Sequence, residues 1–141
     1  MVRRGILAMA AAVTFMAATP VFADDMGLLA GTWRGQTAFM GHPAQVETVL
    51  LENGTFTSMM QVSGGAMMRH WGEWRVVQAN TLRLTYHGHE PTRFCGPLGC
   101  QNIAQVDAET VFYRFLDADT LQTRPSVCMT QPCGMAMSRL R

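Results

Sequence analysis

The sequence predicts an all-β fold, in which an antiparallel meander of short strands closes into a small barrel after a cleavable N-terminal signal peptide. Three observations on the part after the leader favour this fold class. Apolar and polar residues alternate over short runs, as at Leu82, Leu84 and Tyr86, which is the period of a half-buried strand. Tight-turn signals such as Asn53-Gly54 separate the runs. No stretch predicts a convincing helix.

Residues 1–23 have the features of a secretory signal peptide. Arg3 and Arg4 form a positive start, an uncharged apolar stretch follows, and Val21 and Ala23 occupy the −3 and −1 positions of a cleavage site. The apolar stretch has only about 13 residues, whereas a membrane-spanning helix needs ~20. We therefore expect cleavage after Ala23, no membrane insertion afterwards, and a protein that stays in the periplasm, with secretion as the alternative.

The mature chain, residues 24–141, is predicted to form one domain, because its length of about 120 residues allows a modest hydrophobic core. It contains no lysine, and removing Arg3 and Arg4 from the total of 11 basic residues leaves nine against ten acidic residues. Nucleic acids and anionic membranes are bound by clustered positive charge. Neither is therefore expected as a partner.

The first half of the mature chain contains four predicted strands joined by short turns. These strands are residues 29–40, 44–52, 55–62 and 67–78. Between the second and third, Asn53-Gly54 predicts a hairpin, since a type I′ turn needs two residues with positive φ. In the third strand Phe56 and Met60 fall on one face and Thr57 on the other, so one side of this strand is expected to point inward.

The second half begins with a strictly alternating strand and continues through a long loop rich in glycine and proline, residues 87–102. The predicted strands of this half are residues 82–86, 103–106, 110–116, 120–124 and 135–140. Short strands joined in sequence order by tight turns indicate an antiparallel meander. Closure of that meander into a barrel would remove its exposed edges.

The four cysteines, Cys95, Cys100, Cys128 and Cys133, form two Cys-x4-Cys pairs late in the chain. An even number of cysteines in a small exported protein predicts disulfides. Three connectivities are open. We favour the two local bridges because each interval contains a proline and has the composition of a turn; the alternative ties the 95–100 loop to the C-terminal segment. A zinc site is less favoured, since thiols of exported proteins are usually oxidised.

The run Leu29-Ala-Gly31-Thr-Trp33 resembles the Gly-x-Trp opening of the lipocalin-like, or calycin, barrels. The later runs at residues 51–58, 72–77 and 80–86 are similar to small bacterial lipocalin-like domains, and the likeness covers about residues 29–124. The resemblance implies a lipocalin-like barrel over residues 24–141, with a disulfide-rich C-terminal segment. It also implies that Trp33 packs under Arg139 or Arg141. Because the chain is shorter than a full lipocalin and no C-terminal helix is evident, the implied barrel is shallow or partly filled.

One face of the predicted strands is expected to point into the barrel. The inward residues are Trp33, Phe39, Phe56, Met60, Met68, His70, Trp74, Leu84, Tyr86, Tyr113 and Phe115. In a small barrel such side chains can simply fill the interior. The functional interpretation is an apolar pocket with a few polar groups, in which methionine adapts to different ligands. The residues proposed to bind the ligand are Trp33, Met60, Met68, His70, Trp74 and Tyr86.

Metal binding is a weaker hypothesis. His87 and His89 stand at i and i+2 of an extended segment, so both rings would project from one face near Glu90, but no third ligand is evident. Nine of the 12 methionines lie in the mature chain, and thioethers prefer Cu(I), yet they are scattered at strand spacing. No metal and no cofactor is therefore predicted, with His87 and His89 as the weak candidates.

Catalysis has no support in the sequence. No Gly-x-Ser-x-Gly elbow, phosphate-binding loop or His-Glu-x-x-His helix occurs, and no catalytic residue is predicted. Asp107, Glu109, Asp117 and Asp119 lie near predicted turns and are interpreted as solvated turn residues.

The function that we expect from the sequence is a periplasmic, non-catalytic binding protein for a small apolar or amphipathic ligand. The first alternative is a filled barrel that acts as an accessory domain of the cell envelope through its outer surface. An exposed Trp71 and the C-terminal segment would then contact an envelope protein partner. The second alternative is periplasmic copper binding.

Overall fold

The structure, a computed structural model, describes residues 22–39, 41–127 and 133–141. These three ranges form one helix and ten strands. In chain order they are α1 (Phe22–Leu29), β1 (Gly31–Phe39), β2 (His42–Leu50), β3 (Thr55–Val62), β4 (Met67–Gln78), β5 (Thr81–Glu90), β6 (Arg93–Gly96), β7 (Gly99–Asn102), β8 (Ala108–Asp117), β9 (Thr120–Pro125) and β10 (Met135–Leu140).

Eight of these strands close into an antiparallel barrel in the order β1-β10-β9-β8-β5-β4-β3-β2. The barrel closes because β1 pairs with β2 on one side and with β10, the last strand, on the other. The remaining two strands, β6 and β7, form a separate hairpin between β5 and β8. The predicted fold class, an antiparallel all-β barrel, is confirmed.

Most predicted strands are present, and three of them have the predicted bounds: β3, β4 and β10. The predicted loop at residues 87–102 is wrong, because β5 continues to Glu90 and the β6–β7 hairpin follows. The predicted strand at residues 103–106 is also wrong. Pairing of β5 with β8 extends only to Thr85 and Ala108, with one further bond from the Tyr86 N–H, so these residues lie beyond the shared ladder.

The helix α1 was not expected, and it covers one end of the barrel. Leu29 at its C-terminus is completely buried, and its carbonyl oxygen accepts a hydrogen bond of 2.8 Å from Trp33 Nε1. The Tyr113 hydroxyl donates to Asp25 Oδ2 at 2.7 Å. A helix of eight residues is marginal by itself, so contacts with the barrel must stabilise it. No helix of the described ranges is long and apolar enough to cross a membrane.

Asp25, which accepts the Tyr113 hydrogen bond, lies two residues after the predicted cleavage site at Ala23. Residues 1–21 of the predicted leader lie outside the described residues, so its removal stays a prediction. Cleavage after Ala23 would keep Asp25 and Leu29, two of the residues through which α1 contacts the barrel.

Trp33 and Arg139 face each other on neighbouring strands at this end of the barrel. The guanidinium carbon of Arg139 lies 4.2 Å from the centroid of the Trp33 ring. Nη1 of the same guanidinium donates to the carbonyl oxygen of Ala30 at 2.8 Å, and Nη2 donates to that of Leu28. The packing implied by the resemblance is confirmed, and the residue that provides it is Arg139.

The helix end of the barrel is filled with apolar side chains. They are Leu29, Trp33, Leu50, Phe56, Trp74, Leu82, Tyr113, Leu121 and Met137, all less than 9% exposed. The Trp74 indole nitrogen donates to the carbonyl oxygen of Leu51 at 2.9 Å, which satisfies the polar atom of this large ring. The hydrophobic core therefore occupies the half of the barrel next to α1.

The opposite end of the barrel carries the cysteine segments. Cys95 and Cys100 form a disulfide across the β6–β7 hairpin, where they occupy paired positions. The local bridge predicted for this pair is confirmed. Cys133 is also disulfide-bonded, and Cys128, its predicted partner, lies outside the described residues, so that pairing stays a prediction.

Candidate ligand-binding cavity

A cavity of about 400 Å³ occupies the half of the barrel away from α1. All eight barrel strands contribute to its lining, because alternate residues of each strand point inward. Its floor is the top of the core, formed by Trp33, Leu50, Leu82, Leu121 and Met137. The volume falls within the range of about 300–1,000 Å³ that is usual for small-molecule sites.

The walls above this floor are mostly apolar. Met60, Leu84, Val111 and Met135 are partly buried hydrophobic residues that line the cavity and pack against the core. A hydroxyl pair interrupts this surface where β2 meets β3, with Thr48 Oγ1 and Ser58 Oγ 2.9 Å apart. The hydroxyls satisfy each other, which lowers the cost of placing them in an apolar wall.

One wall is polar, and three neighbouring strands build it. His70 comes from β4, Tyr86 from β5 and Glu109 from β8. The Tyr86 hydroxyl donates to Glu109 Oε2 at 2.7 Å, and the centroids of the His70 and Tyr86 rings are 5.7 Å apart, edge to face. We call these three residues the polar wall.

The polar wall also borders a second space, a side pocket of about 490 Å³. Its other lining residues include Gln105 and Val106 before β8, and Ser126 and Val127 after β9. Since the cavity and the side pocket share all three residues of the polar wall, a ligand that reaches the wall from either space meets the same groups.

Burial controls the protonation of two of these groups. It raises the pKa of Tyr86 well above its usual range, and the neighbouring Glu109 carboxylate adds to the shift, so this phenol stays a hydrogen-bond donor at neutral pH. Burial lowers the pKa of His70, and His89 lowers it further. At pH 7 the polar wall therefore presents a neutral imidazole and a neutral phenol beside Glu109.

A β-bulge next to the polar wall decides where the two histidines of the His-Gly-His segment point. The register between β4 and β5 shifts between Trp71 and Gly72, so that His87 has no partner residue in the ladder. His89 then pairs with His70, and the two rings stack with centroids 6.1 Å apart. His87 instead lies 3.3 Å from Glu73 on the outer face.

The expectation that both rings share one face is therefore wrong, because one extra residue reverses the alternation of the strand. Within the described ranges no three His, Cys, Asp or Glu side chains come together in a way that could hold a metal ion.

Four of the six residues proposed from the sequence line the cavity: Trp33, Met60, His70 and Tyr86. Trp74 belongs to the filled half of the barrel instead. Met68 is buried opposite Met60 in the β3–β4 ladder and does not line the cavity.

The other inward residues divide in the same way. Phe39 and Leu84 line the cavity, whereas Phe56, Tyr113 and Phe115 pack in or against the core.

Glu109 is the site residue that sequence reasoning missed. It was interpreted as a solvated turn residue, but it lies in β8, is partly buried and accepts the hydrogen bond of Tyr86. The signal was the spacing of Glu109, Val111 and Tyr113 at every second position of one strand. This spacing places the Glu109 carboxylate on the same inward face as the other two side chains.

Trp71, expected to be exposed, is partly buried on the outer face of β4. Its indole lies so close to Gly88 that a Cβ at this position would be 2.3 Å from the ring. The guanidinium carbon of Arg69 is 5.1 Å from the ring centroid. Neighbouring residues therefore cover much of the ring that was proposed as a contact for a protein partner.

No protein-family model matches this chain, and no curated protein matches it in sequence. The function is therefore inferred from the cavity and the groups that line it.

Proposed function

We propose that this chain is an exported, non-catalytic binding protein that holds a small apolar or amphipathic molecule inside a lipocalin-like barrel. The observation that carries the proposal is the unequal filling of the barrel. The half next to α1 is packed with core side chains, whereas the other half contains a cavity of about 400 Å³. A small barrel that served only as a scaffold would be expected to fill both halves.

The lining of the cavity supports a ligand with a large apolar part. Methionine and aliphatic side chains make up much of the wall, and polar groups are concentrated in the polar wall and the Thr48–Ser58 pair. An apolar body would be desolvated against the methionines, while the few polar groups would orient it.

The lipocalin-like assignment is supported by the closed eight-strand antiparallel barrel and by Trp33 packed under Arg139. Export is supported by the leader pattern of residues 1–23 and by the Cys95–Cys100 disulfide.

The two alternatives receive less support. A filled barrel that acts through its surface does not account for the cavity, and Trp71, its proposed contact, is partly covered by its neighbours. Metal binding through His87 and His89 is disfavoured because the bulge directs the two rings to opposite faces.

The test is binding of N-phenyl-1-naphthylamine, a neutral apolar fluorophore, to mature protein recovered from the periplasmic fraction after expression of the full chain. The matched variants are Thr37→Trp, which places an indole in the cavity, and Gln36→Trp, which places it on the outer face of the same strand. We expect the wild-type chain and Gln36→Trp to bind the probe equally, and Thr37→Trp to bind it about tenfold more weakly, a loss of ~1.4 kcal/mol.

Absence of probe binding to the wild-type chain would overturn the proposal, as would equal binding by Thr37→Trp and wild type. The melting temperature of each variant serves as the folding control. Recovery of the protein only from the cytoplasm, with its leader intact, would contradict the exported location.

A further inference from the structure

We infer that the ligand is an amphipathic cation, an apolar chain or ring that carries a protonated amine, and that Glu109 binds the amine. This inference rests on the proposed function and adds the chemical class of the ligand. Its basis is the excess of hydrogen-bond acceptors and of negative charge at the polar wall.

The charge at the polar wall is not balanced by the residues that line the two spaces. Glu109 is partly buried, and the lining residues of the cavity and the side pocket that the structure describes include no arginine. The chain has no lysine at all. None of the ion pairs within residues 22–39, 41–127 and 133–141 includes Glu109. The hydrogen bond that this carboxylate accepts within the described ranges comes from the neutral Tyr86 hydroxyl.

The hydrogen-bond acceptors at the polar wall support the same inference. A carboxylate offers about four acceptor positions, and the Tyr86 hydroxyl uses one of them. The Nδ1 atom of His89 lies within hydrogen-bond distance, 2.9 Å, of Gln105 Oε1.

The Nε2 atom of the His89 ring is buried and has no hydrogen-bond partner in the described chain. His89 stacks on His70 but lines neither the cavity nor the side pocket, so the amine is assigned to Glu109, which lines both.

An ammonium group carries three donors and a positive charge, and it accepts nothing. It therefore complements a wall that has a carboxylate and no cation. A ligand carboxylate or sulfate would meet Glu109 as a like charge in a partly desolvated site, which is unfavourable. The apolar part of the ligand would lie in the cavity against residues such as Met60, Leu84 and Val111.

The test compares three ten-carbon competitors that differ only in the head group: decylamine, decanol and decanoate. Each displaces N-phenyl-1-naphthylamine from the wild-type mature protein at pH 7. We expect decylamine to act at a concentration about tenfold below decanoate, with decanol between them. This ranking needs no substitution, so it does not depend on the folding of any variant.

The variant Glu109→Gln keeps the shape of the side chain and removes its charge. We expect it to abolish the advantage of decylamine over decanol and decanoate. The matched control is Glu73→Gln, an acid-to-amide change at an exposed residue on the outer face of β4, which should leave the ranking unchanged.

The outcomes separate this inference from the proposed function. If the three competitors displace the probe equally, or if decanoate is the strongest, the cation is wrong while binding in the cavity stands. If the advantage of decylamine survives in Glu109→Gln, the assignment of the amine to Glu109 is wrong. If the probe itself does not bind, the proposed function fails first. Decylamine ranking first in the wild type but not in Glu109→Gln supports the inference.

Discussion

Arg139 connects three parts of the molecule through a single side chain. Its guanidinium lies on the Trp33 ring of the first strand, and it donates to the carbonyl oxygens of Leu28 and Ala30, where α1 ends and β1 begins. Charge-assisted hydrogen bonds to backbone carbonyls and a cation–π contact reinforce each other here, because both need the planar guanidinium in one position.

We expect Arg139→Met to lower the free energy of unfolding by about 3 kcal/mol, because two carbonyls at the end of α1 lose a donor and Trp33 loses its cation. Urea denaturation at pH 7 measures this loss. Arg141→Met is the matched control: its side chain is 81% exposed and makes a surface ion pair with Asp119, so a loss below about 1 kcal/mol is expected. Equal losses in the two variants would refute the role given to Arg139.

At the scale of elements, the β4–β5 pair contains the feature that shapes the site. Up to the bulge, alternate residues of β5, Leu84 and Tyr86 among them, line the cavity. Beyond the bulge the alternation reverses, so that His89 pairs with His70 and His87 lies outside near Glu73. A strand without the bulge would keep His87 and His89 together on the outer face, opposite to Leu84 and Tyr86.

Gly72 permits this bulge. A Cβ at Gly72 would lie 1.9 Å from the Thr85 carbonyl oxygen and 3.1 Å from the Phe56 ring. We expect Gly72→Ala to destabilise the barrel by about 2–3 kcal/mol, because backbone atoms of β5 must move. Thermal or urea unfolding measures the change.

The same substitution at Gly27 provides the control. This glycine lies in α1, is exposed, and has nothing within 4 Å of the added Cβ. Gly27→Ala should therefore leave stability unchanged or raise it by up to about 1 kcal/mol. A Gly72→Ala variant as stable as Gly27→Ala would show that the strands can rearrange without cost.

At the scale of the whole molecule, the barrel is divided into a packed half and a hollow half. The packed half includes Trp33, Trp74 and Tyr113 and is covered by α1. The hollow half contains the cavity with its polar wall, and the cysteine segments lie at this end of the barrel. Stability and binding are therefore assigned mainly to different ends of one barrel, and the two ends meet at the floor of the cavity.

The free energy of unfolding at alkaline pH depends on both halves of the barrel, since Tyr86 belongs to the cavity and Tyr113 to the core. Burial raises the pKa of both, and each donates to a carboxylate, Tyr86 to Glu109 and Tyr113 to Asp25. A phenol of the unfolded chain ionises near pH 10, whereas the folded pKa is higher. Stability is therefore complete below about pH 10 and falls above it, by up to about 1.4 kcal/mol per pH unit for Tyr86.

Unfolding free energies between pH 9 and 11.5 measure this dependence. The chain has two tyrosines and no lysine, so the tyrosines dominate the titration in this range. We expect Tyr86→Phe and Tyr113→Phe each to remove about half of the slope, and the double variant to remove most of it. The absence of any decrease in the wild-type chain above pH 10 would contradict the shifted pKa values.

The sequence by itself determined the fold class, most strands and part of the cavity lining. Alternation at Phe56, Met60 and Tyr86 is a local property, and it requires one inward face whatever the partner strand is. The resemblance around Gly31-Thr-Trp33 also indicated the partner of Trp33 near the end of the chain.

Only the tertiary structure decided which inward residues fill the barrel and which surround a cavity. It also decided the place of α1, the bulge that separates His87 from His89, and the approach of Glu109 to Tyr86. Each of these depends on the register between strands and on contacts between residues far apart in the chain. The period of a single strand carries no information about either, so sequence patterns predicted the inward face of the barrel but not its chemistry.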